Sequence, residues 1–136
     1  MNYKLKEGAY APTRAHREDA GADLRSPVDV TIYPGESAVI DTGVCVEIPA
    51  GFCGQLWSKS GLNVKHGIIS TGLVDSGYCG SIKVKLYNQS HEIYTVHIGD
   101  KISQLVIVPC VTDDINIVDD IGSGERGNNG FGSMGR

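Results

Sequence analysis

The chain has 136 residues, 12 Lys and Arg against 16 Asp and Glu, and a net charge of −4 at neutral pH. That length holds one domain with a sizeable core, and the acidic balance excludes a global basic field of the kind that binds DNA or RNA. No apolar run approaches the roughly 18 residues of a membrane span, so an anionic ligand held by local cations or a metal ion stays open while a membrane role does not.

The first residues, Met1 to His16, contain no apolar stretch resembling a signal peptide, and a cytoplasmic protein is expected. Cys45, Cys53, Cys79 and Cys110 are widely spread and form no C-x-x-C pair, so they read as reduced thiols. His16, His66, His91 and His97 show no metal-ligand spacing, and His66 reads as structural.

From Asp19 onward the pattern is short strands and turns. Val28, Val30 and Ile32 alternate with Asp29 and Thr31 before Pro34-Gly35. An apolar run from Val39 through Val46 and Ile48 follows, then Phe52 to Trp57, then the polar break Ser58-Lys59-Ser60-Gly61. Gly72 to Lys83 reads as a β-hairpin with a Gly-containing loop of about three to five residues, and Asp75 and Tyr78 stand at its mouth. Ile82, Val84 and Leu86 share one face while Lys83, Lys85 and Tyr87 share the other, the pattern of a half-buried strand. Ile93 to Ile98, Ile102 to Val108 and Ile115 to Val118 complete the expected strands. No segment keeps a 3.6-residue apolar period over ten or more positions, which points to an all-β barrel or sandwich with little helix.

The last residues, 122–136, change character: six of the 18 glycines lie here, with Met134 the one long aliphatic side chain and Phe131 the one aromatic. Such a tail cannot bury enough surface to fold alone. It reads either as a disordered terminus or as a lid in which Arg126 is a charge clamp and Phe131 a stacking platform.

Three other stretches carry chemistry. In Ala20-Gly21-Ala22-Asp23-Leu24 the aspartate precedes a strand, placed to cap a turn or to reach a metal-bound water. Ser58-Lys59-Ser60-Gly61-Leu62 offers a cation, hydroxyls and loop N–H groups suited to phosphate. In Gly99-Asp100-Lys101-Ile102-Ser103-Gln104-Leu105, Gln104 is a possible donor.

Taken in order, AGADL, SKSGL, GLVDSGYCG, GDKISQLV and RGNNGFGSMG resemble the five motifs of the homotrimeric dUTP pyrophosphatase (dUTPase) family. The resemblance runs from about Asp19 to Arg136 and implies a jelly-roll β-fold, with a body over 1–121 and a flexible lid over 122–136. It implies hydrolysis of dUTP to dUMP and pyrophosphate with Mg²⁺ on the triphosphate, in a trimer whose subunits share active sites. It further implies an intracellular protein of bacterial or phage origin that binds neither nucleic acid nor membrane.

The same resemblance implies residue roles. Asp75 matches the general base that activates water against the α-phosphorus. Tyr78 matches the ring that packs on deoxyribose, and Gly72, Leu73, Val74, Ile82 and Lys83 match the positions that read uracil. Phe131 matches the ring that stacks on the base. Lys59, Ser60, Gly61 and Gln104 match phosphate contacts, as do Arg126, Gly132 and Ser133 in the tail, while Asp23 matches the carboxylate that meets magnesium-bound water. Lys59 stands where Arg is common, Ser58 where Pro is, Cys79 where Arg is and Met134 where Thr is; a point charge thus replaces a bidentate fork at Lys59. A dCTP deaminase of the same fold and a phage regulatory binding module are the rival readings.

Overall fold

The computed structural model describes residues 1–132, 134 and 135. Its elements are β1 (Tyr3–Leu5), β2 (Ala22–Arg25), β3 (Val30–Ile32), β4 (Ser37–Asp41), β5 (Val44–Val46), β6 (Phe52–Trp57), α1 (Ser60–His66), β7 (Ile68–Val74), β8 (Lys83–Asn88), β9 (Tyr94–Val96) and β10 (Lys101–Pro109). All strand pairs are antiparallel: six strands run in the order β2-β10-β6-β7-β8-β4, and the pairs β1-β5 and β3-β9 close the flanks. The all-β expectation holds. No described helix is long and apolar enough to cross a membrane.

The alternation read from Ile82 to Tyr87 places Ile82, Val84 and Leu86 in the core, where they meet Leu24, Ile40 and Leu105. Each such side chain contributes roughly 1.5–3 kcal/mol on full burial. Among the described residues, every buried side-chain polar atom has a hydrogen-bond partner. Asn88 donates to the carbonyls of Ile32 and Glu92 and accepts from the Ser90 N–H, which ties the turn after β8 to β3.

Several boundaries differ from expectation. The run Val39–Val46 is two strands, because Thr42-Gly43 turns the chain between β4 and β5. The polar break after Trp57 opens α1, which puts Lys65 and His66 in the last turn, favourable for the helix dipole. His66 packs its ring 5.3 Å from that of Tyr94, a structural contact. Ile115 to Val118 forms no strand. Ile115 and Ile117 are almost fully exposed, since no edge in this chain pairs with them.

The hairpin is also wider than its sequence suggests. β7 and β8 pair only from Ile68↔Asn88 to Ser70↔Leu86, after which Gly72–Val74 pairs instead with β6. Residues 75–82 therefore span an opened mouth rather than a tight turn. A narrow turn would have filled the space that becomes the cleft.

Candidate active site

That mouth is a cleft of about 260 Å³ lined by Leu56, Gly72, Leu73, Val74, Asp75, Tyr78, Ser81, Ile82 and Lys83. Every hairpin residue singled out from the sequence is present. Asp75 is exposed, an ionisable carboxylate at the rim. The Tyr78 hydroxyl donates to the Ser81 carbonyl at 3.0 Å, which folds the ring back over the loop. Gly80 permits this: a Cβ there would lie 2.5 Å from the Tyr78 oxygen. An apolar wall, a ring and a few polar groups in a concave site suit a small planar ligand with a polar edge.

A second cluster lies on β2, β10 and the start of α1. Asp23 is within β2 rather than before it, and its carboxylate is buried. One carboxylate oxygen pairs with the Lys59 ammonium and the other with Lys101 at 2.9 Å. Burial pushes the Asp23 carboxyl up, but hydrogen bonds from Lys59 and Lys101, together with their charges, outweigh it and hold the group below its ordinary value of 3.8. Gln104 donates to the Ser58 carbonyl at 3.0 Å and packs on Gly21, where a Cβ would collide with its amide. Gly21 is thus needed for close approach, which explains the glycine of the first motif.

Ser58 anchors this loop. Its hydroxyl donates to the Ser70 carbonyl at 3.1 Å and accepts the Ser70 N–H at 2.9 Å. The Ser70 hydroxyl meets that of Ser103 at 2.7 Å. Ser60 and Gly61 open α1, where first-turn N–H groups lack intrahelical acceptors. Ser58 and Lys101 were not among the expected site residues. The only signal for Lys101 was a second cation two residues before the strand residue Ser103; that it meets Asp23 follows from β2–β10 pairing, which sequence does not reveal.

Because the folded-state pKa of Asp23 is depressed, its stabilisation is complete above the ordinary value and is lost as pH falls through the lowered one. Lys101→Met should therefore destabilise the fold at neutral pH, with the gap to wild type narrowing below about pH 4. Urea unfolding across that range checks the sign; a gap that widens in acid would contradict the pairing.

The structure does not bring the tail to either cluster. The Arg126 side chain donates to the Asn129 carbonyl at 3.2 Å, Phe131 is fully exposed, and Gly132 follows in the left-handed region. Ser133 lies outside the described residues. None of Lys59, Ser60, Gly61 or Gln104 lines the cleft of the same chain. Among the described residues, no group of three or more His, Cys, Asp or Glu is arranged to hold a metal ion, and all four cysteines are free.

A family model described as dUTPase matches residues 7–135. The deoxyuridine 5′-triphosphate nucleotidohydrolase of Tolumonas auensis is 42% identical over 131 residues, covering 92% of this chain and 87% of that relative. The protein of the same name from Nautilia profundicola is 43% identical over 136 residues, covering 98% of this chain and 96% of its own. Among solved structures, the Staphylococcus bacteriophage 80alpha dUTPase with dUpNHpp superposes with a TM-score of 0.91 at 34% identity, over 99% of this chain and 98% of that one. A variant dUTPase from phage phi11 of S. aureus, described with a structural Mg(II) ion, gives 0.82 at 33% identity over 90% and 98% of the two chains.

Proposed function

The chain belongs to the dUTPase family and hydrolyses dUTP to dUMP and pyrophosphate, and from that premise we propose that Asp75 is the general base. It accepts a proton from water as the oxygen attacks the α-phosphorus; the bond from that phosphorus to the bridging oxygen breaks, and pyrophosphate leaves. Positioned proton transfer of this kind typically contributes about 10²–10⁴-fold. The observation that carries this reading is the grouping of Asp75 with Tyr78 and the Gly72–Val74 backbone in one cleft.

In this reading Gly72, Leu73, Val74, Ile82 and Lys83 surround uracil. Uracil presents acceptor, donor and acceptor along its edge, so a cytosine placed there would leave buried polar groups unmatched at a cost of about 1–3 kcal/mol each. Tyr78 packs on the sugar and leaves no room for a 2′-hydroxyl. Lys59, Ser60, Gly61 and Gln104 hold the phosphates.

We place the magnesium ion on the triphosphate, since Mg²⁺ commonly takes substrate phosphates and waters as ligands. Asp23 fits the role of hydrogen-bonding an ion-bound water. A carboxylate offers about four lone-pair sites, and two lysines leave some free. When bound, the ion supplies neutralising charge to the phosphates.

We also assign residues 1–121 to the body and 122–136 to a lid in which Arg126, Phe131, Gly132 and Ser133 close over a neighbouring subunit's ligand. The exposed Phe131 and the unpartnered apolar side chains of Val111, Ile115 and Ile117 support a homotrimer with shared sites. We also place the protein in the cytoplasm. Pyrophosphate release from dUTP, dCTP, dTTP and UTP with Mg²⁺, alongside native mass, tests the whole reading: dUTP alone should turn over well, in a trimer. Tyr78→Ala in the same panel should raise UTP hydrolysis relative to dUTP by at least about tenfold, and unchanged sugar preference would contradict its role.

A further inference from the structure

The cleft wall at Ser81 and Ile82 is not held by its own strand pairing. It is gripped by the turn between β4 and β5. The Thr42 hydroxyl donates to the Ile82 carbonyl at 2.7 Å, and the Thr42 N–H donates to the same oxygen at 3.0 Å. The Ile82 N–H returns a bond to the Val44 carbonyl at 2.8 Å. The Thr42 hydroxyl also accepts the Val44 N–H at 3.2 Å, so both its donor and an acceptor site are used in a fully buried position.

One residue earlier, Asp41 stands opposite Lys83 in the β4–β8 register and accepts the Gly43 N–H at 2.9 Å. The Ser81 hydroxyl, the Gly43 N–H and the nearby Lys6 and Lys83 ammonium groups together hold its carboxyl below the usual value, against a smaller upward push from burial. Lys6 reaches across to donate to the Ser81 hydroxyl at 3.3 Å, while its N–H donates to the Gly43 carbonyl at 2.9 Å. Ser81 in turn supplies the carbonyl that fixes the Tyr78 hydroxyl.

We propose that the turn Asp41–Val44 is a positioning element for sugar selectivity, with Thr42 and Asp41 fixing Ser81 and Ile82 and, through Ser81, the ring of Tyr78. This rests on the assignment of Tyr78 to the sugar. Neither Thr42 nor Asp41 lines the cleft, so both act through the wall. A misplacement on the order of 1 Å at a reacting or recognising group costs up to about 10²-fold.

The test is steady-state hydrolysis of dUTP and UTP by wild type, Thr42→Val, Thr42→Ser and Asp41→Asn. Thr42→Val keeps the shape and removes the hydroxyl. Its ratio of kcat/KM for dUTP over UTP should fall about 10- to 100-fold, mostly through a raised KM for dUTP, while Thr42→Ser restores the wild-type ratio. Asp41→Asn should lower the ratio several-fold and provides the readout where Thr42→Val fails to fold. A discriminating wild type together with variants of unchanged ratio overturns the bracket alone, as does a Thr42→Ser variant as impaired as Thr42→Val. A wild type that accepts UTP as readily as dUTP overturns the sugar assignment and this inference with it.

Discussion

Asp75→Asn should lower turnover of dUTP by about 10²–10⁴-fold while leaving the fold and affinity for dUTP in Mg²⁺ close to wild type. The expectation follows from where the residue sits. Asp75 is exposed at the end of β7 and makes no side-chain hydrogen bond or ion pair among the described contacts, so its removal orphans no partner. An asparagine preserves size and polarity but cannot take a proton at neutral pH. Single-turnover rates and binding of a non-hydrolysable analogue separate the two effects. Hydrolysis within about threefold of wild type would remove Asp75 from the role of base, and a matching loss of affinity would recast it as a binding residue.

Ending the chain before Arg126 should cost activity on a similar scale, at least about 10²-fold, with melting temperature and subunit number unchanged. The described residues of the tail donate nothing to the core. Among the described residues from 122 onward, all but the half-buried Gly130 are exposed, and the turns are held by local bonds such as Gly127 to Gly124 and Asn129 to Arg126. A segment of this kind has little to lose structurally, which is what the proposed lid over another subunit's ligand requires. A truncated protein of full activity would show that residues 126–136 are not a lid. A truncated protein that loses its assembly would place the tail in the subunit interface instead.

Much of this was legible in the chain itself because it is local. Alternation of Ile82, Val84 and Leu86 against Lys83 and Lys85 predicts a half-buried strand, and all three apolar side chains are buried. Phe52 to Trp57 was bounded correctly by its flanking turn residues. Gly72, Leu73, Val74, Asp75, Tyr78, Ile82 and Lys83 line one cleft because they are neighbours along one loop and its strands, whereas Phe131, expected beside them, lies exposed in the tail. Pairing between distant segments was not legible. Thr42 reads as one polar position in the apolar run Val39–Val46 until the fold sets it beside Ile82, 40 residues away. Lys101 meets Asp23 only through the β2–β10 register, and Ser58 meets Ser70 only because β6 and β7 adjoin. The strand expected at Ile115 to Val118 fails in the opposite way: its apolar pattern is real, but no strand of this chain pairs with it.

The paired lysines on Asp23 have a consequence for how nucleotides compete. Lys59 already has an anion, so in the proposed site a phosphate chain would reach it by displacing part of that bond. In that role Asp23 is an internal rival whose effective concentration never falls, and Lys101 remains paired with its other oxygen. A ligand bearing three phosphates outbids such a rival more readily than one bearing a single phosphate. If Lys59 holds phosphate as proposed, this pairing would favour substrate over product by charge and return Lys59 to Asp23 as dUMP departs.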